Sequence, residues 1–405
     1  MKPLLLIIRT GKQEFREYLL RSITQQYKVH MFVVAAPDWE LEYIDGYTRV
    51  DSADVQAMIT AAKDLQATQH IAGVLCWDEA RIVQATEVAA ALGLPGEPGA
   101  VSRCRDKHLT RQALSAAGVA QPQSTRVDTL PDALVVAGRI GYPVIIKPTD
   151  LALSLGVVKV DTAEQLAAAF DYVTELRHGG LPNWRATILL EEFMSGYEIS
   201  VDTAVHRGEI FPLCLARKEI GFSPYCVEVG HYVHADDPLW HDPVLIRLLH
   251  DTHRALGFTD GLTHTEIMVT EAGPKIIEVN ARLGGDMIPY LGLRATGVDT
   301  GLAAAAVACG RIPQVSRSEN LVAAVRFFYP EEPETEIKSL RFDFGSERPA
   351  AIDMLALLAA PGTIKSPPPA GIVNGRIAFA TAVAETAEEC QAALAAAESA
   401  LRVNC

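Results

Sequence analysis

Residues 264–286 read HTEIMVTEAGPKIIEVNARLGGD. Two short runs of alternating apolar and polar residues, 264–270 and 275–280, flank Glu271-Ala272-Gly273-Pro274, so the segment predicts an antiparallel hairpin. A turn centred near Ala272 or Gly273 places Glu266 opposite or nearly opposite Glu278, with Asn280 on the same face as Glu278. Ile267, Val269, Ile277 and Val279 are expected on the other, buried face. Two carboxylates facing each other across strands repel unless something cationic lies between them. Three oxygen donors on one face suit Mg²⁺ or Mn²⁺, which keep places for substrate phosphates.

Outward from the hairpin the chain falls into α/β pieces. Ile199–Val205 and Ile210–Leu215 predict a second hairpin, turning at His206-Arg207-Gly208-Glu209. Asp242-Pro243 opens a helix that ends near Gly257. Upstream, Pro95-Gly96-Glu97-Pro98-Gly99 marks a boundary. Ser102 is expected to cap a helix reaching about Ala117, with Gly118 as its stop and Leu109, Ala113, Ala116 and Ala117 as its apolar face. A strand at Val144–Lys147, a helix over 163–177 opened by Thr162-x-x-Gln165, and a strand over 187–193 complete a small α/β unit.

Before the boundary, Leu4–Ile8, His30–Ala35 and Ile71–Cys76 read as buried strands, with helices over 13–26 and 80–92, the pattern of a largely parallel sheet. This part lacks G-x-G-x-x-G and G-x-x-x-x-G-K-[ST], and Gly11-Lys12 alone is too little for a phosphate loop. Beyond 312 come further strand-like runs, a break at Pro367-Pro368-Pro369, and an alanine-rich last helix opened by Thr386-x-x-Glu389. No internal repeat is visible.

The 405 residues suit two or three domains at roughly 150 residues each. Apolar residues are 49% and charged residues 21%, which excludes a disordered chain. Lys and Arg total 36 against 50 Asp and Glu, and a net charge of −14 argues against nucleic acid as a partner. No run approaches the roughly 18 apolar residues of a membrane span, and the apolar start meets Arg9 too soon for a signal peptide. Seven scattered cysteines with no C-x-x-C pair fit reduced thiols and a cytoplasmic location.

Two lysines stand where a phosphate site needs them: Lys107 early in the helix after the boundary, and Lys147 at the end of an apolar strand before Pro148. The strand Ile188–Phe193 ends in acids and leads to Met194, Gly196 and Glu198, which suit backbone and carboxylate contacts to a purine and ribose. With these pieces in order, the chain resembles the ATP-grasp superfamily of carboxylate–amine ligases over about residues 100–310. The matching stretches are YPVIIKP (142–148), ILLEEFMSGYEISV (188–201), and EVNARLGGD (278–286) preceded by Thr265-Glu266-Ile267.

The resemblance implies an ATP-grasp fold: an N-terminal parallel α/β domain (1–98), a linker helix and small lid (99–193), a large subdomain carrying the site (194–311), and a C-terminal module (312–405). It implies that Lys107 and Lys147 contact ATP phosphates and that Glu191, Glu192, Phe193 and Met194 form the adenine hinge. Glu198 would hold the ribose, and Glu266, Glu278 and Asn280 two Mg²⁺ ions, or Mn²⁺. Arg282 would steady an acyl phosphate and the oxyanion that follows. In the phosphate-covering loop, Asp150 to Gly156, relatives often carry several glycines and serines; this sequence has only Ser154 and Gly156.

Within the superfamily the chain looks most like the L-amino-acid ligases that make dipeptides. The pointer is Glu228-x-x-His231, followed by His234; in that family this element lies at the amino-acid site. Gly284 and Gly285 would let backbone approach the substrate, and Asp286, where some relatives have an aromatic, predicts a wider pocket or one that meets a cationic group. Lys147, Arg282, Glu228 and His231 are then the expected catalytic set. The expected partners are small molecules, with neither nucleic acid nor membrane, and a homodimer is common in similar enzymes. Two alternatives stand beside this reading: a carboxylase or nucleotide-biosynthesis ligase using bicarbonate or formate, and a non-catalytic ATP sensor. A zinc enzyme is not indicated, because His264-x-Glu266 lacks P-C-x-x-C and histidines 231, 234, 241, 250 and 253 include no H-E-x-x-H.

Overall fold

Five apolar residues in a row, Leu4–Ile8, are all buried, as a strand covered on both faces requires. In the computed structural model, which describes residues 2–151, 154–176, 186–345 and 347–405, this strand lies inside a four-stranded parallel sheet. The order is Gly46–Arg49, Lys28–Val33, Leu4–Ile8, Ile71–Leu75. The second strand begins at Lys28 and ends at Val33; Val34, expected within it, is 57% exposed. Helices Gln13–Gln26 and Ile82–Ala91 stand where periodicity predicts them. The strand Gly46–Arg49 and the Asp54-capped helix Val55–Thr68 were not anticipated.

After the boundary there are two helices, Pro98–Arg105 and Lys107–Ala116, where one was expected. Asp106 is extended, and its carboxylate accepts from the amides of His108 and Leu109, so Asp106 is the cap and Ser102 sits inside the first helix. The expected apolar face is also corrected. Leu109 is 41% exposed, and the buried face is Lys107, Thr110, Arg111 and Leu114. The helix is turned to aim its cations inward.

The small sheet runs Ser124–Val127, Ile188–Glu192, Val144–Pro148, Val158–Val160 and is antiparallel throughout. Helices Leu130–Ile140 and Ala163–Glu175 cover it, burying Ala133, Ala137, Leu166, Phe170 and Val173 against Val144 and Ile146. Thr162 accepts from the Gln165 amide as predicted, while the Gln165 side chain reaches Asp161 N. Ala152 and Leu153 of the predicted phosphate-covering loop, and the predicted helix end at 177, lie outside the described residues.

The large sheet is antiparallel with eight strands: Gly273–Asn280, Gly261–Thr270, Tyr197–His206, Glu209–Gly221, Val227–His234, Val322–Phe328, Ala378–Ala384 and Ile352–Leu357. Helix Pro243–Leu256 is opened by Asp242 and closed by Gly257 in the left-handed region, as the sequence predicts. The chain beyond 312 continues this same sheet, Val322–Phe328 pairing with Val227–His234 on one side and Ala378–Ala384 on the other. Helix Ala387–Ala400 has the predicted Thr386/Glu389 capping box. Among the described residues, no helix is long and apolar enough to cross a membrane.

Candidate active site

The hairpin closes with a two-residue loop, Glu271-Ala272, between the paired residues Thr270 and Gly273. Glu266 pairs directly with Glu278, and His264 with Asn280. One extra residue follows: Ile267 pairs with Ile276, so Ile277 is bulged. The bulge corrects the predicted buried face. Ile267, Ile276 and Val279 are fully buried, whereas Ile277 lines a cleft together with Glu266, Glu278 and Asn280.

Cations enter this cleft from three elements. Lys107 Nζ lies 3.1 Å from Glu278 and donates to the Leu151 carbonyl at 2.7 Å. Lys147 Nζ lies 2.6 Å from Glu191. Lys218, on the strand Glu209–Gly221, was missed by the sequence reading. Its side chain is fully buried, with Nζ 2.9 Å from Glu198, 2.7 Å from Glu228 and 3.1 Å from Glu266. Burial opposes its charge, but the three carboxylates hold its pKa well above the ordinary lysine range. Burial and the neighbouring acids push Glu198 up, against the pull of Lys218, whereas Lys218 and His264 outweigh burial to hold Glu266 down. A lysine at the end of Leu215-Ala216-Arg217-Lys218 was the only available signal.

Glu191 was expected in the adenine hinge, and in the structure its side chain points to cations of the protein. It is buried between Lys147 and Arg111, accepting from Arg111 at 2.7 and 3.2 Å, and despite burial the two cations pull it down to about 2. Arg111, also missed, donates further to the carbonyls of Ile276 and Ile277, tying the linker helix to the hairpin. Glu192 is held by Lys275 at 2.9 Å, Phe193 lies under the Lys159 ammonium, and Met194 is half-buried. Ser154 and Glu198 line the cleft.

At the other end, Glu228 and His231 share the strand Val227–His234. His231 Nε2 lies 3.2 Å from Asp286 and 3.4 Å from Glu228. His234 instead accepts from the Asp236 amide, outside the site. The cationic group that meets Asp286 is the protein's own: Arg376 donates to its two oxygens at 2.6 and 3.0 Å. Arg376 also reaches the Glu228 carbonyl and lies over the Phe327 ring. Burial opposes ionisation of Asp286, but Arg376 and His231 drive its pKa far below the carboxylate range.

Arg282 donates through Nε to Glu79, a residue of the N-terminal part that also takes Arg105 at 2.6 Å. Gly284 donates its amide to both Asp202 oxygens at 3.1 Å. Asp202 bonds His264 Nδ1 at 2.7 Å, and Asp202 with Glu266 raises that histidine to about 9 against the effect of burial. A Cβ on Gly284 would lie 3.0 Å from His264 and 3.1 Å from Asp202, whereas one on Gly285 meets nothing within 4 Å.

The cleft brings together Lys107, Lys147, Ser154, Glu198, Glu228, Glu266, Glu278, Asn280, Arg282, Gly285 and Asp286. Glu191 and His231 stand behind this surface and bond residues that form it, Lys147 and Asp286, while Gly284, next to Gly285, bonds Asp202. Glu266, Glu278 and Asn280 supply hard oxygen donors on one strand pair, a set that fits Mg²⁺.

A family model for the ATP-grasp domain matches residues 140–290. The alanine–anticapsin ligase of Bacillus subtilis is 33% identical over 247 residues, 55% of this chain and 50% of that ligase. Dapdiamide A synthase of Enterobacter agglomerans is 31% identical over 46% of this chain and 44% of the synthase. The matched stretches thus span half or less of these curated relatives. The crystal structure of an L-amino acid ligase from Bacillus licheniformis superposes on 100% of this chain and 98% of its own, with a TM-score of 0.81 at 21% identity, which is a shared fold.

Proposed function

We propose, from the premise that this chain belongs to the ATP-grasp proteins, that it is an ATP-dependent ligase joining an amino-acid carboxylate to the amine of a second amino acid. One observation carries the reading: the oxygen face of Glu266, Glu278 and Asn280 shares one cleft with Lys107, Lys147 and Arg282. The names of the two sequence relatives, a ligase of alanine and anticapsin and a synthase of dapdiamide A, support it.

In the proposed reaction a carboxylate oxygen of the first substrate attacks the γ-phosphorus of ATP and the bond to ADP breaks, giving an acyl phosphate. The amine then attacks the acyl carbon, loses a proton, and phosphate leaves. Glu266, Glu278 and Asn280 would hold Mg²⁺, which would supply charge neutralisation at the phosphate oxygens. Lys107 and Lys147, now paired with Glu278 and Glu191, turn their ammonium groups to the polyphosphate. The backbone of Glu192 to Met194 takes the adenine, and Glu198 the ribose.

Arg282 stays charged and forked, and its bond to Glu79 aims it at the acyl phosphate and the tetrahedral oxyanion. Glu228, backed by His231, receives the α-ammonium of the first amino acid. The small sheet (within 99–193) acts as the lid over ATP, the large sheet (194–311) carries the metal face, and the segment from 312 walls the substrate end through Arg376, Ile372 and Val373. Closure keeps water from the acyl phosphate.

The test is phosphate release from Mg·ATP with single and paired amino acids, followed by mass analysis. Phosphate together with a product lighter by one water than the summed pair is the expected result. Turnover only with bicarbonate, or none with any amine, overturns the proposal.

A further inference from the structure

An amino acid that donates its amine still carries its own carboxylate, and that charge needs a receptor. The cations of the cleft are already committed: Lys107 to Glu278, Lys147 to Glu191, Lys218 to three acids, Arg282 to Glu79 and Arg376 to Asp286. Arg16 is different. It lies in the first turn of helix Gln13–Gln26, its Nη1 donates to the Gly284 carbonyl at 3.4 Å, and no carboxylate among the described residues comes within ion-pair distance. Resting on the ligase reading, we infer that Arg16, assisted by Lys12 and Lys365, receives the carboxylate of the amine substrate.

Position supports this assignment. Helix Gln13–Gln26 follows the strand Leu4–Ile8, beside the point where the parallel sheet's strand order reverses, and crevices at such points take ligands. Arg16 touches the turn whose next residue, Gly285, lines the cleft with open space at its Cβ position. Gly284 is two residues from Arg282, at most about 7 Å along the chain. An α-amino acid separates its nitrogen from its carboxylate oxygens by roughly 3 Å, so in this proposal an amine at the acyl carbon beside Arg282 places its carboxylate at the Gly284–Gly285 turn that Arg16 bonds.

The surroundings are cationic as well. Lys365 donates to the Asn374 carbonyl at 2.7 Å, and burial together with the nearby Lys12 charge depresses its pKa. Packing of Phe15 on Phe379, with centroids 5.3 Å apart, fixes the start of the helix against the C-terminal segment that carries Lys365. Lys12, at the N-cap position of the helix that carries Arg16, and Lys365 thus add positive charge beside the start of that helix.

The experiment compares the acceptor amino acid found by the phosphate-release panel with its primary amide, in the full-length enzyme. Wild type is expected to prefer the acid, and Arg16→Gln to raise the acceptor KM and cut the acid-over-amide preference, each by about tenfold or more, the worth of a charged hydrogen bond. Arg16→Lys is expected to restore part of the preference, which a merely structural role would not do. Lys12→Gln, at an exposed position, is expected to lower the preference about threefold and decides the matter if Arg16→Gln does not fold. An unchanged preference in these variants, or a wild type that accepts acid and amide equally, overturns the assignment. A wild type that ligates nothing defeats the ligase reading itself, a separate outcome.

Discussion

Glu266 and Glu278 stand directly opposite each other across two antiparallel strands, and each is held by its own buried lysine, Lys218 and Lys107, at 3.1 Å. Like charges so placed are offset by cations from outside the hairpin, and the proposed metal site would use the same two carboxylates.

Glu278→Gln is therefore expected to leave a folded protein, because Lys107 keeps its bond to the Leu151 carbonyl. Mg²⁺-dependent phosphate release should fall by on the order of a hundredfold or more, as for loss of a group that orients a metal. Circular dichroism and a phosphate assay check the two halves; unchanged turnover removes Glu278 from the metal face.

Lys218→Met leaves Glu198, Glu228 and Glu266 without their shared cation. Breaking a buried ion pair costs about 3–5 kcal/mol, so the urea midpoint should drop clearly at neutral pH. The loss should shrink when Glu228→Gln is added. If the single variant unfolds with the wild-type midpoint, the triad contributes nothing to stability.

Arg282→Met is expected to bind Mg·ATP yet form no ligated product, measured by nucleotide titration and mass analysis. Glu79→Gln should act in the same direction but more weakly, lowering kcat by roughly tenfold, because Arg282 keeps its charge and its bond to the Leu283 carbonyl. Normal product from Arg282→Met sinks the oxyanion role.

Acid stability should report His253. Its Nδ1 donates to the Leu249 carbonyl and its Nε2 accepts from the Thr263 hydroxyl, and burial lowers its pKa to about 4. An ordinary histidine titrates near 6.5, so between those values the unfolded chain binds more protons and stability falls as pH falls. The full effect is about 3 kcal/mol. Urea unfolding at pH 7 and pH 4 should show the gap between wild type and His253→Gln narrowing with acid; parallel curves exclude this origin.

The hairpin was legible because its information is local: a period of two, a break at Glu271-Ala272-Gly273-Pro274 and three oxygen side chains give the pairing of Glu266 with Glu278 without any knowledge of the rest. The caps at Asp242, Thr162 and Thr386 were readable for the same reason. What stayed hidden was each group whose meaning depends on a distant strand. Lys218 looks like a surface lysine until three acids from other strands surround it, and Arg111 occupies an ordinary helix position until Glu191 is folded against it. Glu79 acquires a role only through Arg282, some two hundred residues away in the chain. The bulge at Ile277 shifts which isoleucine is buried, and no hydrophobic pattern distinguishes Ile276 from its neighbour.

The pairing of Val322–Phe328 with Val227–His234 bears on how this protein can be divided. A fragment ending near residue 311 would expose the strand bearing Glu228 and His231 as a free edge, open to self-association, and would leave Asp286 without its arginine. The terminal hundred residues therefore cannot be exchanged as a passive accessory. Any recombination that swaps them must carry a matching strand and a replacement for Arg376.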